Sequence, residues 1–199
     1  MPRRAKLNNI DGTFTKPWTV ERFLNWAARQ EERYEFDGKQ PVAMTGGSGR
    51  HSRIMGNIHA ALRARLRGSR CSYFGPDVRT GGDKVRFPDA LVTCTKFPET
   101  ERLAPDPVVV FEVLSPDSGR RDRIEKFRDY ATVASIRRYV IVESTCAGLL
   151  VHHRQHGDAA FTALPLSGEH ILASPEIGIE IPVAEIYEDV DFADTASAP

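Results

Sequence analysis

The chain of 199 residues has no surplus charge: 27 Lys and Arg balance 27 Asp and Glu. A protein that coats nucleic acid without discrimination relies on overall positive charge, so that class is disfavoured, although a local basic groove is not. Cysteine is scarce, with Cys71, Cys94 and Cys146 far apart and no CxxC pair. This predicts small buried thiols in a reducing compartment rather than a disulfide framework or a zinc knuckle. Apolar runs of membrane-spanning length are missing, and MPRRAKLNNI lacks the hydrophobic segment of a signal peptide. The expected location is the cytoplasm, with no membrane partner. Internal repeats and low-complexity linkers are also absent.

What is present is ordinary globular composition, 41% hydrophobic and 27% charged, with length enough for a real core. The expectation is one α+β domain over residues 17–188, a flexible arm over 1–16 and a disordered tail over 189–199. From Thr19 a helix is expected, with Val20, Phe23, Leu24, Ala27 and Ala28 on one face. RYEFDGKQPVAMT reads as a hairpin turning at Asp37-Gly38. GGSGR breaks the pattern, and Arg50 stands where a nucleophile elbow would need its last glycine. Ile54, Ile58, Leu62 and Leu66 recur every four residues and predict a second helix that stops near Gly68. Three strand-like segments follow: CSYFGPDVRT, KVRFPDALVTC and PVVVFEVL. A third helix then carries Ile124, Phe127 and Ala131 inward, capped by Asp117 or Ser118. RRYVIVES is a buried strand, and the C-terminal part reads as hairpins and a small helix near Val183–Tyr187.

Two of these strands each enclose a carboxylate, Asp89 in VRFPDALVTC and Glu112 in DPVVVFEVLSP. A buried carboxylate is costly unless something compensates it. If 89–94 and 107–112 pair antiparallel with 95–106 as connection, Asp89 faces Glu112. Their Cβ atoms then lie roughly 4.5–5.5 Å apart, where like charges destabilise a sheet. A divalent cation between them would reverse that sign, and oxygen-rich sites suit Mg²⁺. Both acids could instead be solvated or paired with Arg86 or Arg120.

RYEFDGK, the helix beginning at His51, PDVR, FPDALV, FEVLSPDS, EKFRDY and RRYVIV occur here in an order that resembles the Uma-two family. That family is a branch of the PD-(D/E)xK nuclease superfamily, and the likeness covers roughly residues 33–143. It implies a restriction-endonuclease-like core: a mixed central sheet in the order helix, three-stranded meander, helix, strand, with an N-terminal helix and hairpin and C-terminal β additions. It further implies hydrolysis of DNA phosphodiester bonds with Mg²⁺ or Mn²⁺, held by Asp89, Glu112 and the Val113 carbonyl. The superfamily lysine belongs two residues after the acid, where this chain has Leu114. The resemblance supplies Lys126 from the next helix instead, with an Asp122–Lys126 surface pair as the plain alternative. Tyr130, one turn on, would support it.

Glu35, His51 and Asp77 also match family positions. Glu35 points away from Tyr34 and Phe36, towards either the metal or water. His51 opens a helix, where a phosphate is favoured but a surface histidine is commoner. Asp77 shares a face with Asp89 only if the turn near Gly81-Gly82 has three residues rather than two; otherwise it faces Arg86. RARLRGSR and GRRDRIEKFR could line a phosphate groove or be solvated helix faces. HHRQH lies near a hairpin turn, which disfavours helical zinc geometry. A homodimer is expected by analogy, since duplex cleavage needs two sites. The competing classes are a non-catalytic DNA-binding module that kept the scaffold, and a phosphoryl-transfer enzyme on RNA or nucleotides, for which no aromatic stacking motif speaks.

Overall fold

A computed structural model describes residues 17–44, 47–74, 77–98, 100–114 and 120–192. The expected arm 1–16, most of the tail (193–199) and the capping positions Asp117 and Ser118 lie outside them. The fold is α+β and restriction-endonuclease-like, as the resemblance implied. Helix α1 (Val20–Ala27) begins where Thr19 Oγ1 accepts the Arg22 N–H, and packs Val20 and Phe23 against Val85 and against Phe36 of β1 (Tyr34–Phe36), which forms a hairpin with β2 (Pro41–Ala43). Helix α2 (Gly49–Leu66) starts at Ser48, whose Oγ accepts the His51 N–H, and ends before Gly68, whose φ of 75° no branched residue would hold cheaply.

The next segments depart from the expected meander. CSYFGPDVRT and KVRFPDALVTC each break in the middle, giving β3 (Ser72–Phe74), β4 (Val78–Thr80), β5 (Lys84–Arg86) and β6 (Ala90–Thr93). The outer pair joins a six-stranded sheet and the inner pair a four-stranded sheet of order β2-β1-β5-β4. Pro88 explains the break after β5, since it has no N–H to continue a ladder. Strand β7 (Pro107–Val113) follows, then α3 (Arg120–Ala131), β8 (Arg138–Val142), β9 (Gly148–His153), β10 (Thr162–Ser167), the hairpin β11 (Ile171–Ser174) and β12 (Ile179–Pro182), and α4 (Val183–Ile186).

The larger sheet runs β10-β9-β8-β7-β6-β3, and only β7 and β8 are parallel. A parallel neighbour needs a crossover rather than a tight turn. Helix α3 is that crossover, which is why it must pass back over β7. The two faces of β7 then bury different neighbours. Val109, Phe111 and Val113 join Ile54, Ile58 and Leu62 of α2, whereas Val110 and Leu114 join Tyr130 of α3 and Tyr139. Ile124 does not turn inward as expected: it is exposed, and Phe127 alone of that predicted stripe packs on the core cluster beneath α3.

A further correction concerns the edge of the larger sheet. Cys71 and Cys94 are joined in a disulfide rather than free, because the β3–β6 register sets them opposite each other one step beyond Ser72 and Thr93. Cys146 is free and exposed. At the C-terminal end, Phe192 packs against Tyr187 and Arg50 donates to the Asp191 carbonyl, so 189–192 are tied to the body. Among the described residues, no helix is long and apolar enough to cross a membrane.

Candidate functional site

Ala90 pairs with Phe111 and Leu91 with Val110, so the register carries Asp89 opposite Glu112, as the hydrophobic boundaries predicted. By strand alternation Asp89 goes with Leu91, and Glu112 with Val110 and Leu114. Both acids therefore sit on the α3 side of the sheet, at the end where β6 begins and β7 closes.

Glu112 is buried, and its oxygens are separately engaged. Oε1 accepts the Tyr130 hydroxyl at 2.7 Å, and Oε2 lies 3.0 Å from Lys126 Nζ. Lys126 also stands 3.5 Å from Glu35 Oε1, so it bridges two carboxylates from different sheets, and the Asp122 side chain of the alternative helix pair lies outside the described residues. Lys126 and Tyr130 are four residues apart, one turn, and both meet Glu112. Leu114, which takes the place of the superfamily lysine, is buried in the apolar cluster beneath α3. Burial pushes the Glu112 carboxyl up and the neighbouring charges of Asp89 and Glu35 add to that, while Lys126 and the Tyr130 hydrogen bond pull it back. Burial, followed by the Glu112 charge, likewise raises the Tyr130 hydroxyl.

Asp89 is held differently. Its Oδ2 accepts the Val113 N–H at 2.7 Å, and its Oδ1 lies 3.4 Å from His51 Nε2. Its carbonyl lies 2.9 Å from His59 Nε2. Arg86, weighed from sequence as a partner, pairs with Glu35 and Asp129 instead, and the Arg120 side chain lies outside the described residues. His51 titrates above its ordinary range, chiefly through its hydrogen bond to Asp89. Burial opposes this, and the charges of Asp89 and Glu112 and the Val113 carbonyl reinforce it. The His51 ring thus faces the Asp89 carboxylate. Its backbone N–H, by contrast, is taken by the Ser48 cap.

Behind this lies a second layer that sequence reading missed. Arg86 is buried and donates through Nη1 to Glu35 Oε2 at 2.8 Å and through Nε to Asp129 Oδ2 at 2.9 Å. Lys84 reaches the other Asp129 oxygen at 2.7 Å. Burial acts to lower the Arg86 guanidinium, but the charge of Glu35 and the Asp129 contact outweigh it and carry its pKa further up. Two patterns signalled this layer: Lys84 and Arg86 alternate around buried Val85, and Asp129 shares a helix face with Lys126 and Tyr130.

Asp77 is the outlier. The hairpin pairs Val78 with Arg86 and Thr80 with Lys84, leaving a three-residue turn, yet the break between β5 and β6 carries Asp77 elsewhere. It bridges to Leu103 and lies 3.6 Å from Arg102 Nη2. Burial raises it to about 6 against the pull of Arg102. The basic run RARLRGSR is also remote. Arg67 lies 16 residues beyond His51, about 24 Å along a helix, and Arg65 is committed to Glu185.

The Uma2 family model, described as "Putative restriction endonuclease", matches residues 20–184. The chain belongs to this family. Among curated relatives, Uncharacterized protein slr1290 of Synechocystis is 30% identical over 176 residues, covering 86% of this Uma2 chain and 92% of that one. A second Synechocystis protein, Uncharacterized protein sll1609, is 25% identical over 162 residues, covering 78% and 91%. The crystal structure of a protein from Anabaena variabilis, described as a putative nuclease belonging to DUF820, superposes with a TM-score of 0.69. It covers 86% of this chain and 98% of its own at 16% identity, a likeness of fold.

Proposed function

We propose that this Uma2 protein is a metal-dependent nuclease that hydrolyses phosphodiester bonds in DNA. The observation that carries the reading is the meeting of Lys126 with Glu112 at 3.0 Å, beside Asp89. A lysine supplied from α3 stands against the acid that lacks one two residues on.

The donor set fits a hard cation. Among the described residues no three His, Cys, Asp or Glu groups gather as a metal cluster, so two carboxylates need a further oxygen. The Val113 carbonyl, next in the chain after Glu112, would supply it. In this reading Asp89, Glu112 and the Val113 carbonyl would hold Mg²⁺ or Mn²⁺, with His51 beside Asp89. A bound cation would polarise a phosphoryl oxygen and lower the pKa of an attacking water. The chain's own residues do the rest. Lys126 orients the water and offsets charge that develops on the phosphoryl group. Tyr130 and Val113 N–H fix the two carboxylates by taking one oxygen of each. Glu35 holds Lys126 from the second sheet. Cutting both strands of a duplex takes two such sites, so the working form in this reading is a homodimer.

The test is cleavage of supercoiled plasmid with Mg²⁺ or Mn²⁺. Wild type should nick or linearise the plasmid, EDTA and Glu112→Ala should abolish this, and Lys126→Ala should slow it by about 10²–10³-fold. Absence of cleavage over a range of salt and divalent ion favours a DNA-binding module that kept only the scaffold. Cleavage that survives Glu112→Ala refutes the assigned site.

A further inference from the structure

A phosphodiester strand is an anion, and away from the reacting phosphoryl group the candidate site offers it little, because its basic side chains are already paired. Its four carboxylates, Glu35, Asp89, Glu112 and Asp129, are matched by Lys84, Arg86 and Lys126, with His51 as the fourth partner. Positive charge that grips the strand must therefore come from the rim. Most nearby candidates are committed or misdirected. Arg50 donates to the Asp191 carbonyl, and Arg123 lies against Glu143. Arg53 and Arg128 each lie two residues from His51 and Lys126, which turns them about 200° away around their helices.

Arg33 is different. It is exposed, and its guanidinium lies 4.5 Å over the Phe87 ring. Neither a hydrogen bond nor an ion pair engages its side chain among the described residues, although its charge is felt at Asp77. Its carbonyl accepts the Met44 N–H, which extends the β1–β2 ladder by one pair. Arg33 therefore shares a strand face with Glu35. Phe87 in turn donates its N–H to Glu35 Oε1 at 3.2 Å and lies outside all three apolar clusters, half-buried. Two residues later the chain is at Asp89, at most ~7 Å away by backbone reach. Stacking on an aromatic face fixes the guanidinium plane while leaving its edge N–H groups pointing outward, the geometry that receives a phosphate in bidentate fashion.

We propose that Arg33, held flat on Phe87, grips a backbone phosphate of the nucleic-acid strand next to the bond presented to Asp89 and Glu112. This rests on the nuclease reading of that site and adds a substrate contact to it.

The experiment measures binding of a fluorescently labelled DNA duplex in Ca²⁺, across a range of salt, for wild type, Arg33→Ala, Arg33→Lys, Phe87→Ala and Arg63→Ala. Arg63 is exposed near the far end of α2 and serves as the equal-charge control. Arg33→Ala should weaken binding roughly tenfold and flatten the slope of log affinity against log salt by about one. Arg33→Lys should keep the slope but lose affinity, Phe87→Ala should weaken binding less than Arg33→Ala, and Arg63→Ala should match wild type. With cleavage as readout, Arg33→Ala should raise KM and leave kcat within about twofold. If wild type binds and Arg33→Ala binds equally well with the same slope, the proposal fails and the nuclease reading survives. Equal losses in Arg63→Ala also overturn it, since charge alone would then explain them. If wild type binds no nucleic acid, both readings fall.

Discussion

Arg86 ties the smaller sheet to α3 at one point, and nothing else in the site can replace its fork. It meets Glu35 from β1 and Asp129 from α3 while itself almost fully buried. Removing one partner of a buried ion pair costs far more than the pair is worth, because the remaining charges stay in low dielectric. Arg86→Ala leaves Glu35 dependent on Lys126 and Asp129 dependent on Lys84. The expected loss is about 3–5 kcal/mol in urea unfolding, and Arg86→Lys should recover only part of it, since an ammonium lacks the planar fork. A loss under about 1 kcal/mol would mean the network tolerates rearrangement and is not what positions α3.

At the scale of elements, the site is assembled by strand ends and helix ends, and this decides what the sequence could reveal. The register of β6 on β7 was legible, because apolar boundaries at Ala90–Thr93 and Pro107–Val113 fix it from both sides. The approach of α3 came only through the resemblance, which brings Lys126 over from EKFRDY, because the parallel β7–β8 pair that demands a crossover leaves no mark in the periodicity. The splitting of CSYFGPDVRT and KVRFPDALVTC between two sheets was not legible, because a bent strand carries the same apolar alternation as a straight one. A straight strand leaves Asp77 either opposite Arg86 or on the Asp89 face well apart along the sheet, and gives no sign of the Arg86–Asp129 contact. The cysteine pair went unforeseen for a similar reason: Cys71 and Cys94 meet only through the β3–β6 register. The loop before α2 also carries a constraint that only geometry exposes. A Cβ on Gly47 would lie 2.6 Å from His51 Nδ1 and 2.7 Å from its Cγ, so any side chain there pushes the ring off Asp89. Gly47→Ala should leave the fold intact and return the His51 titration, followed by NMR, towards its ordinary range. An unchanged His51 titration would show that the ring keeps its seat by moving the loop instead.

Across the whole molecule, three groups respond to pH with the same sign, and His152, lowered by burial, works against them. Asp77 is raised to about 6, and Glu112 and His51 are raised as well. A folded-state pKa above the unfolded value means that the native protein binds the proton more tightly than the unfolded chain does. For each group the stabilisation is complete below its unfolded pKa and is lost as pH rises through the folded one. For the two carboxyls the window opens near pH 4 and runs through about 6 for Asp77; for His51 it begins near 6.5 and extends above it. Without added metal, the unfolding midpoint should therefore fall between about pH 5 and 8. The proposed chemistry asks for the opposite, since Asp89 and Glu112 must be ionised to hold a cation. Cleavage should then rise over the same interval in which the metal-free fold weakens, and Mg²⁺ or Mn²⁺ should stabilise more at pH 8 than at pH 5, because ligands that must lose protons bind metal more tightly as pH rises. Thermal melts at both pH values, with EDTA and with each cation, decide this. A midpoint that is flat or rising in EDTA would show that other groups dominate the balance. A metal shift that is equal at both pH values, or unaffected by Asp89→Ala, would separate cation binding from this pair of carboxylates.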